Sequence, residues 1–245
     1  SGCVTLADAK ILESTGKAFG SFLAQLSEYP IETLKETIPD FHNTPKRVRD
    51  LKASYEKDIC GRRAEVDEAC RYIFAQEYYI NFFENAYKAG KLPLRVTHND
   101  TKCNNVMFDA HTHEPLAVID LDTVMPGSLL YDFGDGLRTG GATADEDERD
   151  LTKPGISLPL FKSYTEGYLA GMGDSITEKE KELMPYSVFL LTYECGISFL
   201  TDYLDGDVYF RHTREKQNID RTRTQFKLVS DMEKRIDEML KIVKK

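Results

Sequence analysis

No stretch of about 18 consecutive apolar residues occurs in this 245-residue chain, so the sequence offers no evident membrane span. A secretory leader is not evident either, because the early stretch Leu6 to Leu26 is interrupted by Asp8, Lys10, Glu13 and Lys17. A basic stripe is missing too. The formal net charge is −9, and Lys and Arg alternate with acids, as in Asp231-Met232-Glu233-Lys234-Arg235. That pattern argues against nucleic acid as a partner. There is no C-x-x-C pair among the five cysteines, Cys3, Cys60, Cys70, Cys103 and Cys195. An odd, unpaired set suits a reducing cytoplasm, which is the expected location. Both glycine-rich nucleotide signatures, G-x-x-x-x-G-K-[ST] and G-x-G-x-x-G, are absent, and Gly134 to Gly141 fits neither.

What is present is a 41% apolar chain with enough hydrophobic content for one large core or two small ones. Leu6, Ile11, Leu12, Phe19, Phe22, Leu23 and Leu26 recur at helical spacing, which predicts a helix over 5–29 ended by Tyr29-Pro30. Residues 31–45 read as a loop with short helical pieces. A second helix is expected over 67–88, with Tyr72, Ile73, Tyr79, Ile80 and Phe83 on its apolar side and Gly90 as its stop. Short strands are predicted at 94–97, 106–108 and 116–119. From Met125-Pro126-Gly127 to about Pro154 the chain reads as irregular, with a solvated acidic cluster from Asp145 to Asp150. Helices follow over 161–171, 178–203 and 220–243. The fold class is therefore α+β, mostly α-helical, with a small β-hairpin.

The chemistry is concentrated in His98-Asn99-Asp100-Thr101-Lys102-Cys103-Asn104-Asn105, between two strand candidates. Transfer of a phosphoryl group to a hydroxyl needs a carboxylate to orient and deprotonate that hydroxyl, oxygen ligands for Mg²⁺, and positive charge near the moving group. The spacing H-x-D-x-K-x-x-N supplies an acid, a cation and an amide on one tight loop, as a kinase catalytic loop does. Downstream, the apolar Val118-Ile119 ends in Asp120-Leu121-Asp122. A hairpin turning through 110–115 would bring Asn105 and Asp120 out at the same end, with opposed Cβ atoms about 5 Å apart. One Mg²⁺ shared with substrate phosphates could bridge them. His98 reads as a brace for the loop rather than a base. His111 and His113 read as surface residues of the turn, and Cys103 as a packing residue.

These motifs resemble those of the aminoglycoside phosphotransferase and choline kinase superfamily, which shares the protein-kinase fold. More narrowly, Thr97-His98-Asn99-Asp100-Thr101-Lys102, Val118-Ile119-Asp120-Leu121-Asp122-Thr123-Val124-Met125-Pro126-Gly127 and Tyr131-Asp132-Phe133-Gly134-Asp135 resemble the N-acetylhexosamine kinases. Phe41-His42-Asn43-Thr44 and Thr222-Arg223-Thr224-Gln225-Phe226-Lys227-Leu228-Val229 are similar to them as well. The resemblance implies ATP and Mg²⁺ as cofactors and a sugar hydroxyl as the acceptor, with a kinase for choline or an aminoglycoside, or a non-catalytic sugar- or metal-binding module of the same fold, as the alternatives. It makes Asp100 the base, Lys102 the neighbour of the transferred phosphoryl, and Asn105 and Asp120 the Mg²⁺ ligands. Asp122 would serve a second metal or hold the loop, and Asp132 would tie the loop together. Thr139, Ser198 and Tyr209 would meet the sugar. The first two depart from the family, which carries an aromatic residue and an Arg there, so the acceptor is expected to differ.

A kinase of this type also needs a β-rich lobe whose strand Lys holds the ATP phosphates. No such sheet is read before residue 94. The chain is thus expected to be the C-terminal, catalytic lobe, and the opening Ser1-Gly2 to be a truncation point or cloning scar. In that case the first helix would leave an apolar face exposed, and a dimer could form through it.

Overall fold

The computed structural model describes residues 9–244, apart from the side chains of Glu77, Tyr78, Phe83, Glu84 and Tyr87. Helix α1 covers Ala9–Gln25. Residues 5–8, which belong to the helix expected from the sequence, lie outside the described residues. Past Gln25 the chain tightens into turns, with Leu26 N–H on Leu23 O and Tyr29 N–H on Leu26 O, so the helix stops earlier than the proline suggests. The apolar face of α1 is not exposed as expected. Ile11, Leu12, Phe19 and Leu23 are buried, and α1 lies along α7 (Leu158–Met172). Glycines make the approach possible. A Cβ on Gly16 would collide with Tyr164 O, and one on Gly167 with Glu13 O.

Helix α2 (Thr44–Lys57) has no counterpart in the sequence reading. Asn43 caps it by accepting from Lys46 N–H at 2.9 Å, and Pro45 occupies its first turn. Its buried stripe is narrow, Leu51 and Tyr55 with half-buried Val48, and charged residues fill the rest. The helix expected over 67–88 is three pieces: α3 (Arg63–Phe74), α4 (Glu77–Ile80) and α5 (Phe82–Lys88). The first break follows Phe74, next to Ile73, whose carbonyl receives the Tyr193 hydroxyl at 3.3 Å. Bending there lets Ile73 sit in the core while Tyr79 packs on Phe189. Tyr72, expected on the apolar side, faces solvent.

Two small antiparallel sheets follow. Strand β1 (Arg95–Thr97) pairs with β4 (Met125–Gly127), and β2 (Val106–Phe108) with β3 (Pro115–Val118). The hairpin matches the sequence reading, with Val106 opposite Val118. The segment read as irregular after Gly127 is instead helix α6 (Leu129–Gly140), capped by the Ser128 hydroxyl on Leu130 N–H at 3.2 Å. Its glycines serve packing rather than turning. A Cβ on Gly134 would lie 2.6 Å from Ser187 O.

Helix α8 (Glu178–Leu204) starts with a capping box between Thr177 and Glu180, and α9 (Gln217–Val243) packs along it. By length and composition α8 could cross a membrane, but most of it is buried inside the protein. It is the central core helix, contacted by α2, α6 and α9. Glu180 ties the β1–β4 sheet to it, accepting twice from the Arg95 guanidinium at 2.6 and 2.8 Å. The largest exposed apolar side chains include Met107, Leu116, Ile119 and Leu121, on and just past the β2–β3 hairpin.

Candidate active site

The loop between β1 and β2 is held almost wholly by its backbone. Asp132, in the first turn of α6 and fully buried, accepts from His98 N–H at 2.8 Å and Asn99 N–H at 2.7 Å. Thr101 donates its hydroxyl to Asp132 O and its N–H to Asp135 Oδ2. Thr123 closes the other side by donating to His98 O at 2.6 Å, and Asn99 Nδ2 donates to Thr123 O at 2.9 Å. These bonds hold Asn99 at φ +65°, a left-handed conformation that Asn tolerates better than most residues. Burial pushes the Asp132 carboxyl up to about 7, against the two N–H bonds that favour its charge; the nearby Asp135 carboxylate adds to the rise.

His98 is fully buried, with its ring edge-on to Phe19 and Phe22 of α1. Its Nδ1 accepts from Asp100 N–H at 3.3 Å, which assigns the proton to Nε2, 2.9 Å from Ile119 O. One imidazole therefore joins the catalytic-loop candidate to the end of β3. Asp100 itself is half-buried. Its Oδ2 accepts from Lys102 Nζ at 2.7 Å and from Asn105 Nδ2 at 2.9 Å, and Asn105 Nδ2 also donates to Asp100 O at 2.8 Å. Ile119 N–H bonds Asn105 O at 2.9 Å, so Asn105 and Asp120 emerge at the same end of the hairpin. Asp120 is exposed at φ +63°, and Asp122 is exposed beside it in a short 3₁₀ turn. Cys103 receives the Thr15 hydroxyl at 3.4 Å, and burial raises its thiol, which suits packing and not nucleophilic attack.

A second polar centre lies between loop 36–45 and α8; the sequence reading named His42, Thr44 and Ser198 through the resemblance but not Glu194, which joins them. Glu194, buried in the middle of α8, accepts from Thr44 Oγ1 and pairs with His42 Nδ1 at 3.3 Å and Arg47 Nε at 3.7 Å. Burial pushes its carboxyl up, but His42, Arg47 and Thr44 outweigh that and hold it below the usual range. Arg47 Nη1 then donates to Ser198 Oγ at 2.7 Å. Ser198 and Tyr209 share a cavity of about 370 Å³ with Arg47 and Asp202. Tyr209 is 81% exposed over it, whereas Tyr203 is a core residue. The third residue expected at the sugar, Thr139, lies near the end of α6 with its hydroxyl buried and unpartnered, and does not line that cavity. The acidic stretch at 145–150 is not simply solvated. Glu146 pairs with the partly buried Arg138 and with Arg221, and Asp147 with Arg214.

The model of the phosphotransferase enzyme family matches residues 4–155, which include the whole loop, the hairpin and α6. The chain belongs to this phosphotransferase family. Its members are kinases that use ATP and Mg²⁺ on small-molecule acceptors. The residues here fit Mg²⁺ by the chemistry of their donors. Asn105 spends its amide nitrogen on Asp100, which leaves the amide oxygen for a cation, and the exposed Asp120 and Asp122 add carboxylates at the same end of the hairpin. Among the described residues no cluster of three or more His, Cys, Asp or Glu could hold a metal unaided. That is the expected economy for Mg²⁺ in a phosphotransferase, which uses one or two carboxylates and takes its other oxygens from phosphates and water.

Proposed function

We propose that this phosphotransferase is an ATP-dependent sugar kinase, acting on the anomeric hydroxyl of an N-acetylhexosamine or a related sugar. The observation that carries the reading is the Asp100 carboxylate, set between Lys102 and Asn105 on a loop pinned by Asp132. Asp100 orients the acceptor hydroxyl and takes its proton. Lys102 offers positive charge to the transferred phosphoryl. Asn105 and Asp120 would hold Mg²⁺, Asp122 would support a second ion or the turn, and Asp132 and His98 keep the loop in shape. When bound, Mg²⁺ would neutralise charge on the ATP phosphates.

The acceptor reading rests on the Ser198–Tyr209 cavity. It has one aromatic wall and, through the bond from Arg47 to Ser198, a guanidinium where sequence alone suggests a lost cation. Thr139 does not line that cavity, so the acceptor reading rests on Ser198, Tyr209 and Arg47. Residues 9–244 have no strand before Arg95, and the hairpin carries exposed apolar residues. We propose that a β-rich ATP-holding lobe, separate from these residues, covers that hairpin, and that the kinase works in the cytoplasm. The test is ATP consumption with a panel of N-acetylhexosamines, hexoses, choline and aminoglycosides. The reading expects an N-acetylhexosamine or close sugar to be the best acceptor and the product to carry phosphate on its anomeric oxygen. Preference for choline or an aminoglycoside would overturn it.

A further inference from the structure

A cleft of about 340 Å³ lies beside the catalytic-loop residue Asn99, between loop 36–45, β4 and the start of α6. Asp100 does not line it, and the side chain of Asn99 is taken up by Thr97 and Thr123. The cleft shares no lining residue with the Ser198–Tyr209 cavity assigned to the acceptor, so a molecule bound here occupies a separate site. His42 gives the cleft its polar anchor. The His42 side chain is only 10% exposed, stacks on Tyr131 with ring centroids 4.6 Å apart, and has Phe41 edge-on at 4.8 Å. Its Nδ1 is committed to Glu194, while its Nε2 is buried and has no partner. Buried polar atoms are almost always satisfied, so a lone imidazole nitrogen in a cleft wall points to a missing hydrogen-bond partner.

The remaining lining defines that partner. Phe41, Tyr131, Met125 and Pro126 present apolar surface for C–H groups. Two carboxylates, Glu36 and Asp40, sit at the rim and are bonded by Asp40 N–H and Asn43 Nδ2. With Lys88 also in the lining, two carboxylates against one ammonium leave the cleft net negative, which disfavours a phosphate or a carboxylate ligand. The volume is at the small end for ligand pockets and suits one sugar-sized ring. We propose that this cleft binds an uncharged, hydroxyl-bearing small molecule of about monosaccharide size, through a hydrogen bond to His42 Nε2. The site is linked to the Ser198 wall. His42 Nδ1 and Arg47 Nε address the same oxygen of Glu194, and Arg47 holds Ser198, so occupancy at His42 is relayed by one carboxylate to the other cavity.

The experiment is ¹⁵N NMR of histidine-labelled protein, titrated with N-acetylglucosamine, N-acetylgalactosamine and glucose to about 10 mM, enough to nearly saturate a ~1 mM site. No nucleotide is added, so the outcome is independent of the kinase reading. The His42 Nε2 resonance is expected to shift saturably with at least one of these sugars. Leu94→Trp, at a half-exposed lining position far in sequence from the Glu194 network, fills the cleft and should weaken that binding by about tenfold or more. Tyr209→Ala, in the other cavity, should leave the shift in place. The proposal is overturned if none of the three sugars moves His42 Nε2, if Leu94→Trp binds as the parent does, or if Tyr209→Ala abolishes the shift.

Discussion

Asp132 is the residue that pins the backbone of the β1–β2 loop, and its pH behaviour can be worked out from the structure. Its carboxyl is fully buried and is pushed up to about 7, against about 3.9 in an unfolded chain. Between those values the folded state binds the proton more tightly than the unfolded state. The contribution of this group to stability is therefore complete below about pH 4 and is lost as the pH rises through about 7. The slope is at most about 1.4 kcal/mol per pH unit, or roughly 2–3 kcal/mol between pH 5 and 7. Asp132→Asn removes the titration. It also leaves one of the two N–H groups, His98 or Asn99, facing an amide NH₂, at a cost of about 1–3 kcal/mol. Urea unfolding of parent and variant at pH 5, 6, 7 and 8 separates the two effects. The stability advantage of the parent should be largest at pH 5 and shrink toward pH 8. An advantage that is flat or grows with pH would mean that the two N–H bonds keep Asp132 ionised throughout, and the reasoning would fail.

Three further outcomes are expected. Asp120→Ala should lower turnover severely and be partly rescued by raised Mg²⁺, because it removes an exposed carboxylate that would anchor the ion on the phosphates; a loss indifferent to Mg²⁺ would contradict this. Gly167→Ala should destabilise the protein by about 1–3 kcal/mol or more, because the new Cβ meets Glu13 O across the α1–α7 contact and the helix-propensity gain of about 1 kcal/mol does not offset the clash; an increase in urea midpoint would refute that packing argument. Tyr209→Ala should raise KM for the acceptor more than it lowers kcat, since the ring is an exposed wall of the cavity and not a partner of Asp100; an unchanged KM would remove Tyr209 from the acceptor site.

The hairpin was legible because Val106-Met107-Phe108 and Leu116-Ala117-Val118-Ile119 flank a polar turn, and period and turn agree. Helices α7, α8 and α9 were legible for a similar reason, since long apolar or periodic runs fix them within a few residues. Helix α2 was not, because a stripe of Val48, Leu51 and Tyr55 among charges is too narrow to stand out from a loop. Helix α6 was hidden by its glycines. In isolation Gly134, Gly136 and Gly140 suggest turns, whereas here they let Ser187, Tyr164 and Leu12 approach the helix closely. The exposed face expected on α1 failed for the same reason, because the small residues that bring α7 onto it carry no hydrophobic signal.

At the candidate site, residues close in sequence were easier to read than residues brought together by folding. Asp100, Lys102 and Asn105 lie on one loop, and their spacing already implies mutual contact. The Glu194 centre could not be read in that way. Thr44 and Glu194 are separated by 150 positions, and Glu194 is one of several acids in α8, so by sequence it resembles a solvent-facing residue. The signal available was that acid itself, flanked by Thr192, Tyr193 and Cys195 in the most apolar stretch of the chain, since a carboxylate in a core helix requires partners.

The most direct test of the central claim is phosphoryl transfer by Asp100→Asn in the assembled, ATP-competent kinase, measured in a single turnover alongside acceptor binding by calorimetry. Asn keeps the size of the side chain and one acceptor oxygen, so the bond from Asn105 can persist, but it cannot take a proton from the acceptor hydroxyl. The account predicts a rate lower by ~10²–10⁴ with acceptor affinity essentially retained. A rate close to that of the parent would contradict the assignment of Asp100 as the general base, and with it the reading of the loop as catalytic.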